Sequence, residues 1–197
     1  MNVAGLVLTG GSSRRMGRDK AALLVDGVSL GERAAAALAA VLHPAFEVGP
    51  GWSPLPAVTE PEPGAGPLGA LAAGAAALSM AGHSGPAVVL ATDLPFVTAD
   101  LVRVLASHPS EATVVPLVAG RRQLLAARYS PRALEVAPAL FAAGGRSLAV
   151  LLDEVDVVDM TEEDLRGVVD LRELEDVDTP EDLARLGLGT GGNRHIG

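Results

Sequence analysis

The stretch VAGLVLTGGSSRRMGRDKAALL, residues 3–24, decides how the rest of the chain is read. Val3, Ala4, Leu6, Val7 and Leu8 form a short apolar run that stops at Gly10 and Gly11, as a buried strand does on entering a tight loop. Arg14, Arg15, Arg18 and Lys20 follow, four cations within seven residues of a chain whose formal net charge is -9. A local anion site is thus built into an acidic molecule. Without side chains, Gly10 and Gly11 let backbone N–H groups approach a ligand, and successive N–H groups form a nest for phosphate. Arginine and lysine add fixed positive charge. The anion that suits this loop is the phosphate chain of a nucleotide.

Two familiar glycine loops do not fit it. A Walker A loop ends in Gly-Lys-Ser/Thr, whereas Lys20 follows Asp19 in Gly17-Arg18-Asp19-Lys20. A dinucleotide fingerprint needs GxGxxG opening a helix, and Gly10-Gly11-Ser12 does not supply it. The pattern LxGGxSxRMGxDK, from Leu8 to Lys20, instead resembles the signature of nucleotidyltransferases that activate sugars and cofactors. With Ala21-Ala22-Leu23-Leu24 behind it, the segment looks most like the molybdenum cofactor guanylyltransferase (MobA) family, and the resemblance runs from Leu8 to Leu183. It implies a single Rossmann-like three-layer α/β/α domain with a mostly parallel sheet, of the nucleotide-diphospho-sugar transferase type. It also implies base contacts from backbone groups of Leu8, Thr9 and Gly10, with Gly11 in the nucleotide loop, although the family usually has alanine where Thr9 stands.

The totals agree with one such domain. At 197 residues a single core is the default, here taken as residues 1–187 followed by a flexible tail over 188–197. Hydrophobic residues make up 49% but aromatics only 3%, so the core must be built from Ala, Val and Leu, a mix suited to helices laid on a parallel sheet. There are no cysteines, which excludes disulfides and thiolate metal sites and fits a cytoplasmic location. His43, His83, His108 and His195 show no ligand spacing. No apolar run is long enough for a membrane span and no secretory cleavage pattern follows the N-terminal run, so a soluble, unexported protein is expected. A pI near 4.8 argues against nucleic acid, which needs extended positive surface. A mononucleotide needs only a local patch.

Further along, Val25-Asp26-Gly27-Val28 reads as a turn, Leu30 to Leu42 as a helix and Ala45 to Val48 as a strand. Trp52 to Ala65 is studded with proline and reads as a long loop over the site, a candidate for substrate or base contact. The run from Gly64 to Leu71 begins a small-residue helix reaching about Met80, with Pro67 suited to its first turn. The PGxGPL turn before it belongs to the family pattern, but the family's aspartate is replaced by Glu60 and Glu62. Ala87 to Thr92 is a continuous apolar run, a central strand, and it ends at Asp93. Ligands of open α/β sheets bind beyond the carboxyl ends of strands, and Mg2+ takes one or two carboxylates plus substrate phosphates. Asp93 is therefore the leading metal candidate, as its likeness to the family's metal aspartate motif also implies, and Thr98 is left as cap of the next helix.

Thr113 to Leu117 and Arg122 to Tyr129 read as paired strands, with Gln123 where the family often has histidine. Helices are expected over 131–142 and 147–153, flanking Gly144-Gly145-Arg146-Ser147, whose Arg146 is either a phosphate ligand or a solvated cation. Short strands are expected over 155–160 and 168–171. In Glu175-Asp176-Val177-Asp178-Thr179-Pro180, Thr179 and Pro180 specify a helix start. That junction can bring Asp178, or else Asp176, to the metal held by Asp93, though the family usually has asparagines there. The activity implied is transfer of GMP from GTP to molybdopterin cofactor, with Arg15, Lys20 and Asp93 as the catalytic set. A relative using CTP or another phosphorylated acceptor, and a non-catalytic nucleotide-binding module, are the alternatives.

Overall fold

The apolar run at the start of the chain is a buried strand, β1 (Ala4–Leu8), in a computed structural model that describes residues 2–10, 20–60, 62, 65–177 and 179–188. A 3-10 turn at Lys20–Ala22 leads to a hairpin of β2 (Leu24–Val25) and β3 (Val28–Ser29). Its two turn residues, Asp26 and Gly27, both have positive φ, the geometry that matches the twist of paired strands. α1 (Leu30–Ala39) begins in a capping box, in which the Ser29 hydroxyl accepts from the Glu32 N–H and the Glu32 carboxylate accepts from the Ser29 N–H. There follow β4 (Ala45–Val48), β5 (Ala57–Val58), α2 (Gly66–Met80), β6 (Ala87–Ala91), α3 (Ala99–Ser107), β7 (Thr113–Val118), β8 (Arg121–Arg122), β9 (Ala126–Tyr129), α4 (Pro131–Ala142), α5 (Leu148–Leu152), β10 (Val157–Thr161), α6 (Glu162–Leu165) and α7 (Pro180–Arg185).

The sheet runs β10-β7-β9-β6-β1-β4-β5, with β8 paired to β7. β1 is parallel to β4 and β6, β4 to β5, and β10 to β7, while β9 is antiparallel to both of its neighbours. Successive residues of β1 face opposite layers, as strand geometry requires. Val7 joins the core formed with α1 and α3 through Leu38, Leu101 and Leu105. Leu6 and Leu8 join the core formed with α2 and α4 through Leu68, Leu71 and Ala137. The result is the expected three-layer α/β/α sandwich with a mostly parallel sheet. Among the described residues no helix is long and apolar enough to cross a membrane.

The order of strands creates a crevice. From β1 the chain passes through α1 to β4 on one side, whereas from β6 it passes through α3 to β7 on the other. Ligands of doubly wound sheets bind at such a switch point, outside the carboxyl ends of the strands. Here it lies between β1 and β6, where Leu8 and Ala91 are paired.

Several expectations are met and others are corrected. The Thr98 hydroxyl accepts from the Asp100 N–H, and Thr179 and Asp182 cap α7 reciprocally. The expected pairing forms in two pieces, β7 against β8 near the turn and β7 against β9 farther along. Residues 123–125 then break away, and β9 re-enters between β7 and β6. The proline-rich stretch contains β5, which adds to β4 at the sheet edge. No strand forms over 168–171; Asp170 caps a 3-10 turn at Leu171–Leu174 by accepting from the Arg172 N–H.

Candidate active site

Asp93 stands two residues beyond β6 and is half-buried. Its carbonyl oxygen accepts from the Val177 N–H at 2.9 Å, which lays the segment before α7 alongside it. Two further contacts fasten that segment. The buried Glu173 carboxylate accepts from the Thr98 N–H at 2.9 Å and the Thr98 hydroxyl at 2.7 Å, and the Arg172 guanidinium lies 4.2 Å from the Phe96 ring centroid. The loop carrying Asp93 is thereby stitched to a stretch some 75 residues later. Asp176, next to Val177, is exposed.

Val177 also connects this side of the crevice to the other. It is buried with Val25 and Leu30, and Leu23 packs against them. The Leu30 N–H donates to the Leu23 carbonyl, and the Leu23 N–H to the Lys20 carbonyl. Lys20 and Asp93 therefore belong to one edge of the sheet, joined through a small apolar cluster. Gly11, Arg15 and Asp178 lie outside the described residues, as do residues 189–197 of the expected tail; Leu188 packs against the same cluster.

At the end of β1, the N–H groups of Thr9 and Gly10 both donate to the Val48 carbonyl, at 3.0 and 3.2 Å. What these residues can offer a ligand from their backbone is therefore their carbonyl oxygens. A Cβ on Gly10 would collide with the Glu60 carboxylate, so glycine is what lets that acid lie over the strand end. Burial pushes the Glu60 carboxyl above the ordinary carboxylate range.

A residue that sequence reasoning missed holds this corner together. Glu47 is fully buried in β4. One carboxylate oxygen accepts from the Thr9 hydroxyl at 2.6 Å, the Gly51 N–H at 2.8 Å and the Trp52 N–H at 2.7 Å; the other accepts from the Ser53 N–H at 2.7 Å. The Ser53 hydroxyl bonds it as well. Burial pushes its pKa up, but the donors from Ser53, Thr9 and Trp52 together hold it below the usual value. Its signal was present in the sequence, an acid inside the apolar strand AFEV. Gly49 completes the junction, because a Cβ there would strike the Thr9 hydroxyl.

The remaining candidates have structural duties. Arg146 reaches Glu62 at 3.2 Å, covers the Phe141 ring at 4.5 Å, and donates to the carbonyls of Phe141 and Gly145. Its own carbonyl accepts from the Leu68 N–H in the first turn of α2. Gln123, half-buried, follows β8 and donates its backbone N–H to the Pro116 carbonyl at 2.8 Å.

The donor chemistry fits Mg2+. Among the described residues no three His, Cys, Asp or Glu side chains close around a point, so no complete protein cage is present. Magnesium does not ask for one, since it is held by one or two carboxylates plus substrate phosphates and water. Asp93, just beyond the end of β6, has a side chain of the type such a site uses.

The family model of the MobA-like NTP transferase domain matches residues 5–163. The chain belongs to this family. A "probable molybdenum cofactor guanylyltransferase" of Mycobacterium tuberculosis is 35% identical over 178 residues, covering 86% of this chain and 88% of the relative. Its namesake from Mycobacterium marinum is 34% identical over 189 residues, covering 91% and 94%. The crystal structure of molybdopterin-guanine dinucleotide biosynthesis protein A from Archaeoglobus fulgidus aligns with a TM-score of 0.76 at 24% identity, covering 92% of this chain and 95% of that one. This MobA-like domain thus has the nucleotidyltransferase fold and belongs to a nucleotidyltransferase family.

Proposed function

We propose that this MobA-like domain transfers GMP from GTP to molybdopterin cofactor, giving the guanine dinucleotide form and pyrophosphate. The observation that carries the proposal is the shared edge: Val177, bonded to Asp93, packs in one cluster with the hairpin that follows Lys20, at the carboxyl edge that holds the switch point between β1 and β6. The names of the mycobacterial relatives support the choice of substrates.

The acceptor's terminal phosphate oxygen attacks the α-phosphorus of GTP, the bond from that phosphorus to the bridging oxygen breaks, and pyrophosphate leaves with the electron pair. The nucleophile belongs to the substrate, so the absence of cysteine from the chain is no obstacle. The difficulty is repulsion: two unit charges about 4 Å apart repel by about 4 kcal/mol at an effective dielectric of about 20. Lys20 and Arg15 bind the β- and γ-phosphates and stabilise the departing charge. Asp93, with Asp178 or Asp176 as second carboxylate, would hold Mg2+, which when bound neutralises charge at the α-phosphate.

The base is read by acceptors. Thr9 and Gly10 have spent their N–H groups on Val48, and the Glu60 carboxylate covers Gly10. Guanine presents N–H donors at N1 and N2, which suit carbonyl and carboxylate oxygens. Cytosine presents only one amino group beside two acceptors. The test is a nucleotide panel with molybdopterin and magnesium, read as pyrophosphate release. GTP should be the preferred donor; turnover with CTP in its place, or tight GTP binding with no pyrophosphate from any nucleotide, would sink the proposal.

A further inference from the structure

Trp52 is the chain's one tryptophan. It stands 41% exposed although aromatic side chains are scarce and costly to leave in water. Its position is fixed from two directions. The main-chain N–H groups of Gly51, Trp52 and Ser53 converge on the buried Glu47 carboxylate, so the turn that carries the indole is pinned by a buried charge. A Cβ on Gly31 would lie 3.3 Å from the Trp52 Cβ and 3.2 Å from the Ala21 carbonyl oxygen. The Trp52 Cβ therefore sits against the first turn of α1, beside the Lys20–Ala22 turn and at the carboxyl edge of the sheet.

We infer that Trp52 is the stacking platform for the nucleobase, and that Glu47 is a positioning residue acting through it. This rests on the reading of the crevice as a nucleotide site and adds a role to it. Acceptors at Glu60 and the end of β1 meet the edge of a base, but edge contacts alone leave both faces of the ring uncovered. An aromatic face supplies that contact at little entropic cost, since its backbone is already ordered. The occupant is the base and not the phosphates, because an indole face offers a triphosphate nothing and the cation and carboxylate flank the neighbouring switch point. The same Glu47 oxygen bonds both the Thr9 hydroxyl and the Trp52 N–H, so a single carboxylate sets the strand end that meets the edge and the turn that meets the face.

A single tryptophan makes the test direct. GTP should quench the indole fluorescence of the full chain in a saturable way, and inorganic tripolyphosphate, which has no base, should not. Trp52→Phe should keep the GTP KM within about threefold, while Trp52→Ala should raise it about tenfold with kcat within about twofold. Trp52→Leu, which keeps bulk without a π face, should behave like Trp52→Ala, and matched melting curves show that the fold is intact. Glu47→Gln should weaken the quenching by GTP. The inference is overturned if GTP is turned over without quenching, if tripolyphosphate quenches equally, if Trp52→Ala leaves KM unchanged, or if only a pterin quenches. Quenching and turnover with CTP in place of GTP would uphold Trp52 as a base platform while refuting the guanylyl reading.

Discussion

Two buried charges tie down loops at opposite edges of the sheet, and they are satisfied in opposite ways. Glu47, at the carboxyl edge, collects N–H and O–H donors from Thr9 and the 51–53 turn. Arg128, at the amino edge and 4% exposed, donates to the carbonyls of His108, Ser110 and Ala112, and its Nε has no partner among the described residues. The carboxylate gathers the backbone that borders the crevice. The guanidinium fastens the connection between α3 and β7, far from Lys20 and Asp93. A buried ion at either edge organises a loop, but only at the carboxyl edge does that loop face the crevice.

The contrast can be broken in order of expected effect. Asp93→Asn should lower kcat for pyrophosphate release at least about a hundredfold, in a protein that still unfolds in one cooperative transition. A near-normal rate would remove Asp93 from the chemistry. Arg128→Met should do the reverse, costing about 3 kcal/mol by leaving carbonyls without donors, seen in chemical denaturation, with kcat and KM unchanged. Glu47→Gln falls between the two. Its amide turns an N–H2 toward donors, for a loss of about 2 kcal/mol, or about 4–8 °C in melting temperature.

Acid should separate the edges further. Burial, then repulsion from Arg128, holds the His108 imidazolium below its ordinary range, against a weaker pull from Asp164. The unfolded chain thus takes up that proton first, and stability begins to fall as pH drops through about 6.5. Glu47 is also depressed, so its contribution is complete above about pH 4.3 and is lost below it. Melting curves of His108→Gln should lack the first decline and those of Glu47→Gln the second. The smallest effect is expected at Arg122 of β8, paired with Asp159 of β10 at 2.6 Å, both side chains partly exposed. Arg122→Ala should cost under about 1 kcal/mol and less in high salt.

Much of this was legible in the chain. The strand-to-glycine run, the apolar stretch ending at Asp93, and Thr98 and Thr179 as caps were each readable from neighbouring residues, because period, punctuation and capping are local. The reading failed where partners were distant. Val168 to Leu171 looked like a strand, yet Asp170 caps the turn that brings Glu173 to Thr98. Gly144-Gly145-Arg146 left the arginine's role open, and its contacts to Glu62 and Phe141 appear only when α2 and α4 meet.

By itself the sequence determined the α/β class, the cationic character of its first loop and the place of Asp93 at a strand end, since each follows from residues within one short segment. Tertiary structure decided that the Lys20 turn and Asp93 share one edge through Val177, and that Glu47 is buried beneath Thr9 and the 51–53 turn. Those facts depend on strand order and on hydrogen bonds between residues far apart in the chain. No local pattern encodes them, because a carboxylate acquires donors only after the strands around it have been placed.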